Sequence, residues 1–264
     1  MATYQSHTPG SFCWIELATT DQAAAKSFYT SLLGWLVNDM PMGPGQFYSM
    51  FQREGSAVGA AFTLRPDMLQ QGVPPHWLVY IAVANADETA QRAAELGGAV
   101  VAPAFDVMDA GRMAVLRDPT GAVFAVWQAG RHIGMQRADE VNTFCWADLS
   151  TPSAEKAGHF YAELFGWEMS LAPNDPSGYI HIKNGGRFIG GIPPAAQRDP
   201  AIPPHWMIWF AVADCDKSTQ AVQAAGGKVL RSPMTMDRVG RLSVVNDPQG
   251  AGFGLITPEQ HARG

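Results

Sequence analysis

The sequence predicts an α+β protein of two tandem domains, and three observations carry that prediction. The chain repeats itself: Phe12-Cys13-Trp14-Ile15-Glu16-Leu17 returns as Phe144-Cys145-Trp146-Ala147-Asp148-Leu149, and Pro74-Pro75-His76-Trp77 returns as Pro203-Pro204-His205-Trp206. Further pairs keep the same order in both halves: Phe28-Tyr29 and Phe160-Tyr161, Gly34-Trp35 and Gly166-Trp167, Gly97-Gly98 and Gly226-Gly227, Gly111-Arg112 and Gly240-Arg241, Asp118-Pro119 and Asp247-Pro248. Within each half, short apolar strand signals surround longer amphipathic helix signals. A repeat of roughly 130 residues is too long for a solenoid unit of ~20–50 and about the size of a domain. Domains are therefore expected at 1–130 and 142–258, with a linker at about 129 to 142.

The elements follow in order. Phe12 to Ala18 is apolar and aromatic with Glu16 its one charge, which suits a strand buried on most of both faces. Asp21 then caps a helix whose Ala24, Ala25, Phe28, Leu32 and Leu33 form one stripe, and Gly34 stops it where a left-handed residue is favoured. Gln46 to Gln52 and Ala57 to Leu64 read as short strands separated by Glu54-Gly55-Ser56. The pattern restarts with a strand at Trp77 to Ala84 and a helix at Ala86 to Leu96 stopped by Gly97-Gly98. Ala99 to Ala102, Met113 to Arg117 and Val123 to Trp127 read as strands, the last two joined by Asp118-Pro119-Thr120-Gly121. In the second half Ser153 is the expected helix cap, Gly166 the stop, and Tyr179 to Lys183, Arg187 to Gly191 and Trp206 to Ala213 the matching strands. Each half is thus strand–helix–strand–strand with a further strand, played twice, and the chain carries four such units.

Composition narrows the function classes. The 264 residues are 47% hydrophobic with a net charge of −6 and no basic stripe, so the electrostatic footprint of nucleic-acid binding is missing. No apolar run is long enough to span a bilayer, and Met1-Ala2-Thr3-Tyr4-Gln5-Ser6-His7 lacks the features of a secretory signal, so a cytoplasmic location is expected. Three cysteines cannot all pair, and Cys13 and Cys145 are equivalents rather than partners, so they read as small buried apolar residues. The methionines Met108, Met113, Met234 and Met236 read as packing, and His132 and His261 as solvated linker and tail. There is no Gly-x-Ser-x-Gly, phosphate loop or paired-cysteine zinc spacing.

The run of Asp21, Phe28-Tyr29, Leu33-Gly34-Trp35, a second strand and helix ending in Gly97-Gly98, and Asp118-Pro119-Thr120-Gly121 resembles the glyoxalase, bleomycin-resistance and extradiol-dioxygenase superfamily. The resemblance covers nearly the whole chain, once per half, and is closest to tandem glyoxalase-like proteins of bacteria. It implies the vicinal oxygen chelate fold, in which paired βαβββ modules curl mixed sheets into open cups with the helices outside. Metal-dependent members take a divalent ion from a His or Gln on the first strand, a His on the first strand of the second module and a Glu on the last strand. Counting seven residues back from Asp21 reaches Trp14, with Trp146 its counterpart; seven forward from Asp118 and Asp247 reaches Ala125 and Gly254; the middle position falls on Leu78 and Met207. None of these is a metal ligand, so the resemblance implies cups without the usual triad.

The residues still offer chemistry beside those positions. Alternation along a strand puts Glu16 on the same side as Trp14, and His76 on the same side as Leu78. The second half supplies Asp148 and His205, with His181 on a short strand. Glu16, His76, Asp148 and His205 are accordingly the candidate catalytic residues. Glu16 with His76 could hold Zn, Ni, Fe or Mn at a shifted site, or act as base and polarising partner without one. The plainer reading of a His after Pro-Pro is a cap on a backbone group. Glu16 in an apolar strand must either face a cavity or pair with a cation such as Arg112, because an unpaired buried carboxylate costs several kcal/mol. Candidate ligand-binding residues are Trp14, Tyr48, Trp77, Arg112, Trp146, Tyr179, His181 and Trp206, with the tryptophans otherwise serving as core.

Two functions follow as expectations. One is a binding module with no bound cofactor that sequesters a small aromatic or amphipathic molecule in each cup, as bleomycin-resistance members do. The other is a metal-dependent lyase or dioxygenase using the shifted Glu/His site. The expected partner is a small molecule, not nucleic acid or membrane, and the chain is expected to be a monomer or homodimer.

Overall fold

Two sheets of eight strands each, built from equivalent segments, make up the protein in a computed structural model that describes residues 3–171 and 177–259. The first half runs β1 (Phe12–Thr19), α1 (Gln22–Leu33), β2 (Leu36–Gly43), β3 (Gln46–Arg53), β4 (Ser56–Thr63), a short α2 (Pro66–Gln70), β5 (His76–Ala82), α3 (Ala86–Glu95), β6 (Ala99–Val107), β7 (Gly111–Arg117) and β8 (Val123–Ala129). The second half runs β9 (Phe144–Ser150), α4 (Ala154–Phe165), β10 (Glu168–Leu171), β11 (Ile180–Asn184), β12 (Arg187–Ile192), β13 (His205–Ala211), α5 (Cys215–Ala224), β14 (Lys228–Met236), β15 (Gly240–Asn246) and β16 (Gly252–Pro258). The strand order is β2-β3-β4-β1-β5-β8-β7-β6 in one sheet and β10-β11-β12-β9-β13-β16-β15-β14 in the other, so each sheet is a pair of βαβββ modules joined through their first strands. His261 lies outside the described residues.

Local chemistry sets the boundaries. The Asp21 carboxylate accepts from the Ala24 N–H at the start of α1, and Gly34 ends the helix at φ 67°. Ser153 and Gly166, at φ 71°, do the same for α4. The strands β2 and β10 carry too few buried residues to be delimited from the pattern: β2 holds Asn38, Asp39 and Pro41 and is exposed along most of its length, as an edge strand can be. For the same reason β6, expected to stop at Ala102, continues to Val107 along the opposite edge.

The helix-bearing faces of the two sheets meet in one aromatic layer. Trp35 and Trp77 each pack against Phe210 of the other half, and Phe12 packs against Phe144, Trp167 and Trp206. Phe12 reaches that layer because a register shift between Phe12 and Trp14 reverses its side relative to the rest of β1. Polar atoms in the layer are satisfied reciprocally. Trp77 Nε1 donates to the Tyr29 hydroxyl at 3.0 Å, which donates to Asp247 at 3.0 Å; Trp206 donates to Tyr161 at 2.9 Å, which donates to Asp118 at 3.1 Å. Both aspartates are buried in tight turns whose backbone N–H groups they also accept.

The connection between the halves is not a surface tether. Met135 is fully buried and its N–H donates to the Cys13 carbonyl at 2.7 Å. At Gly134, φ 104°, a Cβ would lie 2.1 Å from that same oxygen, so the strap can lie this close to β1 only as glycine.

Candidate functional site

The concave face of each sheet is written by the pairing of its two central strands. In the first half Glu16 stands opposite Leu78, Trp14 opposite Tyr80 and Ala18 opposite His76, so these side chains share one face. In the second, Asp148 stands opposite Met207, Trp146 opposite Trp209 and Ser150 opposite His205. Over these faces lies about 2620 Å³ of space, lined by residues of both halves.

A carboxyl group sits on the floor of each cup, held by aromatic donors. Glu16 accepts from the Tyr48 hydroxyl at 2.6 Å and the Tyr80 hydroxyl at 2.9 Å, and Trp14 Nε1 donates to Tyr48 at 3.0 Å. Burial pushes the Glu16 carboxyl above its ordinary value, against the two phenols that pull it down. Asp148 accepts from Tyr179 at 2.5 Å, Trp209 Nε1 at 2.9 Å and Trp146 Nε1 at 3.1 Å. Burial again dominates, and its carboxyl is pushed up to about 6. Gly191 makes room for this arrangement, since a Cβ there would lie 2.0 Å from the Tyr179 hydroxyl oxygen.

Several expected residues stand elsewhere. Trp77 and Trp206 border the cavity, but alternation turns their indoles to the opposite side of the sheet from His76 and His205, into the aromatic layer. Arg112 does not meet Glu16. Its guanidinium is engaged by Asp87 at 2.7 Å and Asp106 at 2.9 Å, away from the cup floor. His76 and His205 line the cups, yet each directs Nδ1 to the carbonyl of the proline two residues before it, at 2.8 and 2.9 Å. Burial lowers the pKa of both. His181 packs against Tyr179 and Phe188 with ring centroids 4.9 and 5.2 Å apart. Met108, Met234 and Met236 are exposed rather than packed, while Met113 lies near the Tyr80 hydroxyl. Cys13 is buried, as expected, and so is Cys215, whereas Cys145, expected to be buried, is half-buried. Burial raises the Cys13 thiol, the opposite of what a nucleophile needs.

Three cup residues escaped the sequence reading. Tyr80 and Trp209 follow Leu78 and Met207 by two positions, so the same alternation could have found them. His132, expected on the surface, lies edge-on to Trp14 with ring centroids 4.6 Å apart. Its Nε2 is buried with no hydrogen-bond partner among the described residues, and burial holds its imidazole down at about 4. Nothing local marks it, because the folded strap brings it there.

The donors present do not fit the divalent-metal triad of the resemblance. Trp14, Leu78 and Ala125, with Trp146, Met207 and Gly254, offer no ligand atom suited to such an ion. At Gly254 a Cβ would lie 2.1 Å from the Trp209 indole, so a glutamate there would displace the ring that binds Asp148. No group of three or more His, Cys, Asp or Glu side chains among the described residues is placed to hold a metal. None of the described helices is long and apolar enough to cross a membrane.

Comparison with known proteins agrees with the fold. Residues 11–126 and 141–255 each match the profile of the Glyoxalase/Bleomycin resistance protein/Dioxygenase superfamily. "Putative glyoxylase CFP32" of Mycobacterium tuberculosis is 42% identical over 261 residues, covering 97% of this chain and 96% of that one. "Anthracycline biosynthesis protein DnrV" of Streptomyces peucetius is 34% identical over 262 residues, covering 94% and 93%. Among solved structures, the Mn(II)-bound glyoxalase from Novosphingobium aromaticivorans superposes with a TM-score of 0.65 at 13% identity, covering 94% of this chain and 82% of that one. The 2,3-dioxygenase LapB from Pseudomonas sp. KL28 does so at 0.64 and 12%, covering 96% and 94%.

Proposed function

The chain belongs to the Glyoxalase/Bleomycin resistance protein/Dioxygenase superfamily, and from that premise we propose that it is a small-molecule-binding protein whose cups hold aromatic or amphipathic ligands without the usual metal triad. The observation that carries this reading is an aromatic floor beside triad positions that hold no metal ligand: Trp14 with Tyr48 and Tyr80 in one cup, Trp146 with Tyr179 and Trp209 in the other. Such a floor supplies large apolar contact area with a few fixed polar atoms, which is the composition of small-molecule sites. Similarity to an anthracycline biosynthesis protein supports a planar polycyclic ligand.

The test is fluorescence titration of the purified chain with an anthracycline, before and after treatment with a chelator. Saturable binding that survives the chelator, and that Trp146→Ala weakens at least tenfold, is the expected result. No binding, or binding lost with the chelator, would sink the reading.

A second reading keeps a metal-dependent lyase or dioxygenase. The placement of Glu16 and His76 on one face of the β1–β5 pair favours it. Elemental mass spectrometry after incubation with Zn, Ni, Fe and Mn separates the two. A stoichiometric ion retained by the protein and lost in the Glu16→Ala, His76→Ala variant supports the enzyme; no retained ion removes it.

A further inference from the structure

The floor of each cup carries a carboxyl group with no cationic partner among the described residues. Glu16 is bound by two phenol O–H donors, and Asp148 by one phenol and two indole N–H donors; these are neutral groups. Indole nitrogens can only donate, so Asp148 is arranged as an acceptor, the role of the ionised form. The cation expected from sequence to pair with Glu16, Arg112, is engaged with Asp87 and Asp106 instead. A carboxylate held by dipoles alone in a desolvated site still attracts a cation strongly, because little water screens it.

Lone pairs remain for that cation. A carboxylate has about four acceptor sites, and the aromatic donors occupy two on Glu16 and three on Asp148. Both side chains keep partial exposure, and both line the cavity. The rings that hold them are electron-rich, and a cation seated on the carboxylate lies beside them, where the ring quadrupole adds to the attraction.

Further out, exposed apolar side chains line the cavity beside charged ones. Met42, Phe47 and Phe105 stand exposed at the rim of the first, and Phe188, Leu230 and Met236 at the rim of the second. From floor to opening the lining thus passes from acidic through aromatic to apolar side chains mixed with arginines, of which Arg65, Arg187 and Arg238 are paired with Asp67, Asp139 and Asp237. A molecule complementary to it has an apolar body and a positively charged end.

From this we infer that the ligands of both cups are amphipathic amines, each seated with its ammonium group on Glu16 or Asp148 and its apolar body toward the rim. The inference rests on the cups being binding sites, as proposed above, and adds the chemical class of what they bind.

Two dansyl probes test it: dansyl cadaverine, which ends in a primary ammonium, and N-hexyl dansylamide, in which a methyl group replaces it. Titrations are run at about pH 8, where the amine is protonated and Asp148, at about 6, is ionised. The amine is expected to bind at least tenfold more tightly than its neutral isostere, at two sites per chain. In E16Q and D148N one site each should lose that preference, and in the double variant the ratio of affinities should fall to near one. Thermal unfolding of each variant checks that it is folded, and the two-probe comparison in the unaltered protein does not depend on the variants. Equal binding of both probes by the unaltered protein overturns the amine assignment while leaving the cups as binding sites, and so does a preference that survives in the double variant. Binding of neither probe overturns the assignment together with the binding reading beneath it.

Discussion

Glu16 and Asp148 occupy equivalent positions and reach the same end by different donors, since Tyr80 in the first cup is Trp209 in the second. A titration follows from the second site. The folded Asp148 carboxyl is raised to about 6 from 3.8, so the folded state binds its proton more tightly than the unfolded chain does. Stability from this group is therefore present at low pH and is lost as pH rises between those values. The loss amounts to at most about 3 kcal/mol, at roughly 1.4 kcal/mol per pH unit. In urea unfolding, the stability of the unaltered protein relative to D148N should fall by up to that amount from pH ~4 to pH ~7. Parallel profiles would mean that Asp148 is not buried as described. The alternation of strand residues made Trp14, Glu16 and Asp148 legible as cup residues, and the same rule places Trp77 and Trp206 on the far side. Arg112 and His132 were not legible, because their partners are set by which strands become neighbours and by where the strap runs.

At the scale of single elements, caps and close approaches decide. Asp21→Ala removes the acceptor for the Ala24 N–H and should cost about 1 kcal/mol, read as a lower urea midpoint with an unchanged slope. A much larger loss would show that Asp21 does more than cap α1. Gly254 is more demanding: a Cβ there would meet the Trp209 indole, so Gly254→Ala should destabilise by about 1–3 kcal/mol and shift the ring from Asp148. Near-ultraviolet circular dichroism reports the shift, and a spectrum identical to that of the unaltered protein would refute it. The caps Asp21 and Ser153 and the stops Gly34 and Gly166 were legible because they act on backbone three or four residues away. Strands β2 and β10 were not, because exposed edges need no apolar alternation.

For the whole molecule, the aromatic layer between the sheets is a core rather than a contact of convenience. Tyr29→Phe leaves the buried Asp247 carboxylate without its phenol donor, and Tyr161→Phe does the same to Asp118; each should cost about 1–3 kcal/mol. Because both halves lose their common core together, each variant should still unfold in a single transition by fluorescence and circular dichroism. Two resolved transitions would show that the halves are independent. Residues 3–140 expressed alone, which would expose Tyr29, Trp35 and Trp77, should likewise fail to give a dispersed amide spectrum as a monomer.

The sequence by itself determined the tandem repeat, the order of strands and helices within it, the helix ends, and the presence of a carboxylate among aromatics on the central strand of each half. These are local properties, written in spacing, alternation and capping. Only the tertiary structure decided which neighbours those carboxylates have. The hydroxyls and indole of Tyr48, Tyr80, Tyr179 and Trp209 come from other strands, so their convergence depends on register across the sheet. Likewise the burial of His132, the diversion of Arg112 to Asp87 and Asp106, and the fusion of two domains through one aromatic layer depend on contacts between residues far apart in the chain, for which local pattern carries no signal.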